Sequence, residues 1–189
     1  MNFLEEAYEA VDALDLDDPV LMCEELGDVL MQVAFHTCME QETGRFTWEQ
    51  VCDGVCQKLI ERHPNIFGTQ PGYEGITDWD ALKNKEKGRR TLADDLESVP
   101  RAMPALMRAA KLQKRAARHG AALQGADAAA LADAAENLQT AQPASAQAEQ
   151  AVGKLLFAAA NLARQAGVDP EQALQKANEA FCTAAGPVA

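Results

Sequence analysis

The sequence predicts an all-α protein of two related helical units, and three observations lead there. Of its 189 residues 48% are hydrophobic but only 5% aromatic, so aliphatic side chains and alanine must fill the core. Abundant Ala, Leu, Glu and Gln with few β-branched residues favour helices over sheets. Apolar positions recur at helical spacing, as in Met22, Leu26, Val29, Val33 and Thr37 with Leu30 and Ala34 beside them, and the second half of the chain echoes the first.

In chain order the pattern predicts helices over 2–15, 20–42, 47–63, 99–118, 127–139, 147–166 and 170–184. Pro19 suits a first helical position, and Thr47-Trp48-Glu49-Gln50 has the form of a capped start. Asp15-Leu16-Asp17-Asp18-Pro19 lacks the central Gly and distal Glu of a calcium loop and reads as a turn with a helix cap. Residues 64–98, with Pro64, Gly68, Pro71, Gly72, Gly75 and Gly88, read as a long irregular connection, of a length that is usually functional or disordered. Residues 139–148 read as a flexible link. The expected division is a first unit over 1–98 and a helical linker with a second unit over 99–189.

Charge excludes several functions. The chain carries 29 acids and 17 bases, a net charge of −12, which argues against a nucleic-acid backbone or an anionic membrane as partner. No apolar run approaches the roughly 20 residues of a bilayer span. Met1-Asn2-Phe3-Leu4-Glu5-Glu6 has no positive n-region of a secretory signal. Cys23, Cys38, Cys52, Cys56 and Cys182 fit no zinc spacing, and a reduced, cytoplasmic protein is expected. Cys52 and Cys56 are expected to be small core residues.

The acids concentrate early: no Lys or Arg precedes Arg45. Glu6 and Glu9 are three apart on the first helix, and Glu25 and Asp28 three apart on the second, so each pair shares a helix face. Folded antiparallel about the turn at 15–19, the two helices would bring four carboxylates together. At about 6 Å and an effective dielectric of about 20, each pair repels by about 3 kcal/mol. A cation relieves that repulsion, and oxygen donors without His or Cys select Mg²⁺ or Mn²⁺ over zinc. Neither motif has the Glu-x-x-His of di-iron bundles. The ordinary alternative is exposed helix surface. Against it stand the pairing of two motifs on adjacent helices and Gly27, a mid-helix residue about 1 kcal/mol worse than Ala that asks for a packing reason.

Three segments together carry a resemblance: Leu4-Glu5-Glu6-Ala7-Tyr8-Glu9, Glu24-Glu25-Leu26-Gly27-Asp28 running on to His36, and Lys58-Leu59-Ile60-Glu61-Arg62-His63-Pro64 running on to Gly68. In order and spacing they resemble the MazG family of nucleoside triphosphate pyrophosphohydrolases, and the likeness continues through Trp79 and Lys83 to Leu106–Gly120. The resemblance implies an all-α enzyme that hydrolyses a nucleoside triphosphate to the monophosphate and pyrophosphate. It assigns Mg²⁺, or Mn²⁺, to Glu6, Glu9, Glu25 and Asp28, leaving Glu5 and Glu24 as supporting or base residues. Lys58 and Arg62, one turn apart, become phosphate clamps; otherwise they are a solvated edge. Trp79 and Lys83 would close over the nucleotide, or Trp79 would anchor the loop. His36 and His63 read as structural, His36 on the core-facing helix and His63 at a helix end. Family members usually carry a C-P-W-D and Q-T-H segment ahead of the first acidic motif, whereas this chain starts four residues before Glu5, and weaker substrate binding is expected from its loss.

The second half keeps the frame without the chemistry. Ala151-Val152-Gly153-Lys154-Leu155-Leu156-Phe157 aligns with Glu25–Met31, so two ligand positions become Ala151 and Lys154. After a four-residue contraction, Ala180 and Ala184 stand opposite Lys58 and Arg62. Asp133 and Glu136 align weakly with the first acidic motif. The second unit is expected to pack or dimerise, and the active protein to be a homodimer. The competing expectation is a catalytically silent dimerisation or nucleotide-sensing protein of the same fold.

Overall fold

The computed structural model describes residues 2–67, 88 and 91–186 and divides into two compact units, Met1–Trp79 and Asp80–Ala189. Every regular element among the described residues is a helix.

In the first unit α1 (Asn2–Asp15) and α2 (Pro19–Glu42) form an antiparallel pair. The turn between them is made by local chemistry. Asp17 adopts a left-handed φ of 54°, Leu16 N–H bonds Asp12 O at 2.9 Å, and the Asp18 carboxylate caps α2 by accepting from Val20 and Leu21 N–H. The seam is made of small residues: Ala10, Ala13 and Thr37 are buried, and the Thr37 hydroxyl donates to Val33 O at 2.8 Å. α3 (Trp48–Arg62) starts at a complete capping box between Thr47 and Gln50 and packs on α2. A short helical turn, α4 (Pro64–Phe67), follows.

Several expectations need correction here. Leu26 and Leu30 of the α2 stripe are exposed, because α1 and α3 cover only part of the α2 surface. No residue of α3 is buried, and Cys52 and Cys56 are exposed, not core. His36 is likewise exposed, its ring 6.3 Å from that of Phe3. A Cβ on Gly27 would meet nothing within 4 Å, so no helix packs against it within the unit.

The second unit contains α5 (Leu92–Glu97), α6 (Ala105–Arg118), α7 (Ala128–Thr140), α8 (Ala146–Gln165) and α9 (Pro170–Ala185). The expected helix 99–118 therefore begins six residues late, and 92–97 is helical, capped by Thr91 and Asp94. Pro100 and Pro104 are the cause: neither has an N–H to donate, and each disfavours helix in the residue before it. The link between α7 and α8 is also shorter than expected, since Ser145 already caps α8.

α7 and α8 form a packed pair as α1 and α2 do, and alanines 134, 151, 158 and 160 on them are buried. A glycine turn at Gly167 (φ 71°) and a cap from Asp169 then start α9. Asn161 donates to Ala126 O at 2.6 Å and Gln113 to Phe157 O at 2.7 Å, tying α8 to its neighbours. α5 is pinned to α6 by a buried charge cluster. Asp95 is wholly buried, 3.0 Å from the Arg115 guanidinium and 3.2 Å from His119 Nε2, with Arg118 at 3.8 Å. Arg115 also donates to Asp95 O and the Ser98 hydroxyl.

Candidate active site

The antiparallel α1–α2 pair sets opposite residues face to face: Phe3 meets His36, and Glu6 meets Gln32. One turn back along α2, Asp28 and Glu25 come to the same cleft. Glu6, Glu25 and Asp28 each place a carboxylate oxygen within 4.8 Å of the other two, and all three are half-buried. Oxygens around a Mg²⁺ or Mn²⁺ ion stand roughly 3–4.2 Å apart, so this donor set fits a small hard cation with minor rotamer adjustment.

Electrostatics in the cleft follow from that crowding. Partial loss of solvent raises the Glu25 pKa, and the charges of Asp28, Glu24 and Glu6 add to the rise. Glu9 is raised in the same way, first by lost solvent and then by Glu25, Glu6 and Glu5. Glu9 thus lies beside the cluster, although it is exposed and outside the three-residue set.

The other residues singled out by sequence are placed more loosely. Glu5 and Glu24 are exposed on α1 and α2. Lys58 is exposed and Arg62 half-buried, one turn apart on α3. His63 caps α3 with its ring Nδ1 3.0 Å from Leu59 O. Trp79 and Lys83 lie outside the described residues.

Sequence reasoning missed Gln32, whose side-chain amide donates to Glu6 Oε1 at 3.2 Å. The signal was present in its spacing: 25, 28 and 32 fall at i, i+3 and i+7, one helical stripe.

The second unit has an open groove of about 1310 Å³ at its α7–α8 pair, lined in part by Asp133, Asn137, Glu149 and Lys154. Here the position aligned with Glu25 is buried Ala151, and the position aligned with Asp28 is the ammonium of Lys154, which repels a cation.

Comparison with known proteins is concordant. The sequence model of the MazG nucleotide pyrophosphohydrolase domain matches residues 1–67, which hold the acidic cleft, Lys58 and Arg62. A nucleoside triphosphate pyrophosphohydrolase of Escherichia coli K12 is 39% identical over 187 residues, covering 94% of this chain and 71% of that protein. The nucleoside triphosphate pyrophosphohydrolase/pyrophosphatase MazG of Thermotoga maritima is 38% identical over 180 residues, covering 94% and 69%. The chain belongs to the MazG family. MazG similarity also reaches a nucleoside triphosphate pyrophosphohydrolase of Mycobacterium tuberculosis, at 36% identity over 121 residues, 62% of this chain and 36% of that protein. As a MazG chain it has an all-α fold, and no helix among its described residues is long and apolar enough to cross a membrane.

Proposed function

We propose that this chain hydrolyses a nucleoside triphosphate to the nucleoside monophosphate and pyrophosphate at the cleft between α1 and α2. The observation that carries the proposal is the convergence of Glu6, Glu25 and Asp28 in a chain of the MazG family, whose relatives in E. coli and T. maritima bear that activity in their names. Glu6, Glu25 and Asp28 would hold Mg²⁺, for which Mn²⁺ can substitute, with Glu9 completing the set from the side. When bound, the ion supplies positive charge against the phosphate oxygens.

The chain's own residues do the rest. Lys58 and Arg62 meet the remaining phosphate charge, which matters in a protein of net charge −12. Glu5 and Glu24, outside the ligand set, are the carboxylates left to take the proton of the attacking water. The water oxygen bonds to a nucleotide phosphorus, the bridge between the first and second phosphates breaks, and pyrophosphate leaves. Trp79 and Lys83 are assigned to the nucleotide on sequence grounds alone. A cytoplasmic setting accords with this substrate and with five free cysteines.

With Mg²⁺, a panel of eight ribo- and deoxyribonucleoside triphosphates should give pyrophosphate and monophosphate in equal amounts for at least one base. Orthophosphate in place of pyrophosphate, or no turnover of any of the eight, would refute the proposal.

The proposal includes a homodimer. The first unit leaves Leu26, Leu30, Phe35, Val55 and Leu59 exposed, Leu30 and Phe35 at 58% and 59%, apolar side chains that a second copy would cover. Sedimentation velocity at micromolar concentration should give twice the chain mass, and Leu30→Glu with Phe35→Glu should halve it. A wild-type monomer would refute this part.

A further inference from the structure

We infer that Gln32 is a positioning residue that holds Glu6 in the cleft, and this rests on the metal reading of the site. Three observations support it. Its amide donates to Glu6 Oε1 at 3.2 Å across the helix pair, a bond between residues 26 apart in sequence, in partly buried surroundings. Gln32 lies one turn from Asp28 on the stripe that carries Glu25, where a fifth carboxylate would add repulsion and an apolar side chain would leave Glu6 without a donor.

The third observation comes from the second unit. In the register that sets Ala151 opposite Glu25 and Lys154 opposite Asp28, the partner of Gln32 is Ala158, which is wholly buried. Where the two acids of the second helix of the pair are gone, the amide is gone too, and the position serves helix packing. A glutamine needed only to join two helices would have had the same work to do in both units.

The physical role follows from charge. Glu6 faces Glu25 and Asp28 at short range, and repulsion favours a rotamer that swings it into water. A neutral donor on the opposite helix holds one oxygen in place and adds no charge, so the carboxylate stays oriented before an ion arrives. Groups that orient a ligand in this way typically contribute 10–100-fold in metal affinity.

The test is direct Mn²⁺ titration, read as free-ion electron spin resonance, on wild type, Gln32→Ala and Gln32→Met. Methionine keeps the length and packing of glutamine but cannot donate. Both variants should keep the wild-type helical circular dichroism and bind Mn²⁺ about 10-fold more weakly. Wild-type affinity in Gln32→Met would overturn the inference, whether or not Gln32→Ala weakens binding. No Mn²⁺ uptake by wild type would remove the metal reading and this inference with it, whereas wild-type uptake with unaffected variants would remove the inference alone.

Discussion

Asp28→Asn and Glu25→Gln are each expected to lower pyrophosphate release by about 10²–10³-fold or more, with the helical circular dichroism unchanged. Each change deletes one anionic oxygen donor from the close set of three within 4.8 Å, and a hard dication is held poorly with fewer anionic oxygens. Glu25→Gln should also do the opposite to stability. The Glu25 pKa is raised in the folded protein, chiefly by lost solvent and then by Asp28. A carboxylate raised above its unfolded value binds more protons when folded, so its charged form opposes folding, and stability rises as pH falls toward the usual carboxylate range. Metal-free Glu25→Gln should therefore melt above metal-free wild type at pH 7, and the gap should close as the pH is lowered. Saturating Mg²⁺ should reverse the order, since only wild type gains from binding. Hydrolysis at the wild-type rate in both variants would take the cleft out of the reaction.

Asp95→Ala should be the most damaging substitution for the second unit, at roughly 3–5 kcal/mol. Asp95 is wholly buried and the Arg115 side chain is 8% exposed, 3.0 Å away. Removing the carboxylate leaves a guanidinium in a site closed to water, with Arg118 and His119 losing the same partner. For a domain of this size that shift lowers the melting midpoint by on the order of 15 °C or more. The damage comes from stranding a charge, more than from losing an attraction. The double change Asp95→Leu with Arg115→Met should accordingly cost less than Asp95→Ala alone, which thermal melts of the three variants will measure. A loss under about 1 kcal/mol for Asp95→Ala would show that the cluster is hydrated and contributes little.

Most helix boundaries among the described residues were legible because the signals that set them are local. The start of α2 needs only Asp18 and Pro19, that of α3 only Thr47 and Gln50, that of α9 only Asp169 and Pro170, and each acts within a turn. The start of α6 was missed although the breakers that set it, Pro100 and Pro104, are also local. The acidic stripes were legible for a similar reason, because spacings of three residues on a helix dictate a shared face.

Long-range choices were not legible. Periodicity puts Gln32 on the stripe of Glu25 and Asp28 but does not say that it would reach Glu6, or that Asp95 would be buried against an arginine 20 residues on; both depend on which faces meet. Exposure of Cys52, Cys56 and Leu30 likewise followed from how few helices cover the first unit. On its own, then, the sequence determined the helices, the acidic stripes and the loss of those stripes in the second half, because caps, breakers and helical spacing act over a few residues. Only tertiary structure decided that Glu6, Glu25 and Asp28 come within 4.8 Å while Glu9 stays at the edge, because that depends on the register in which two rigid rods pack.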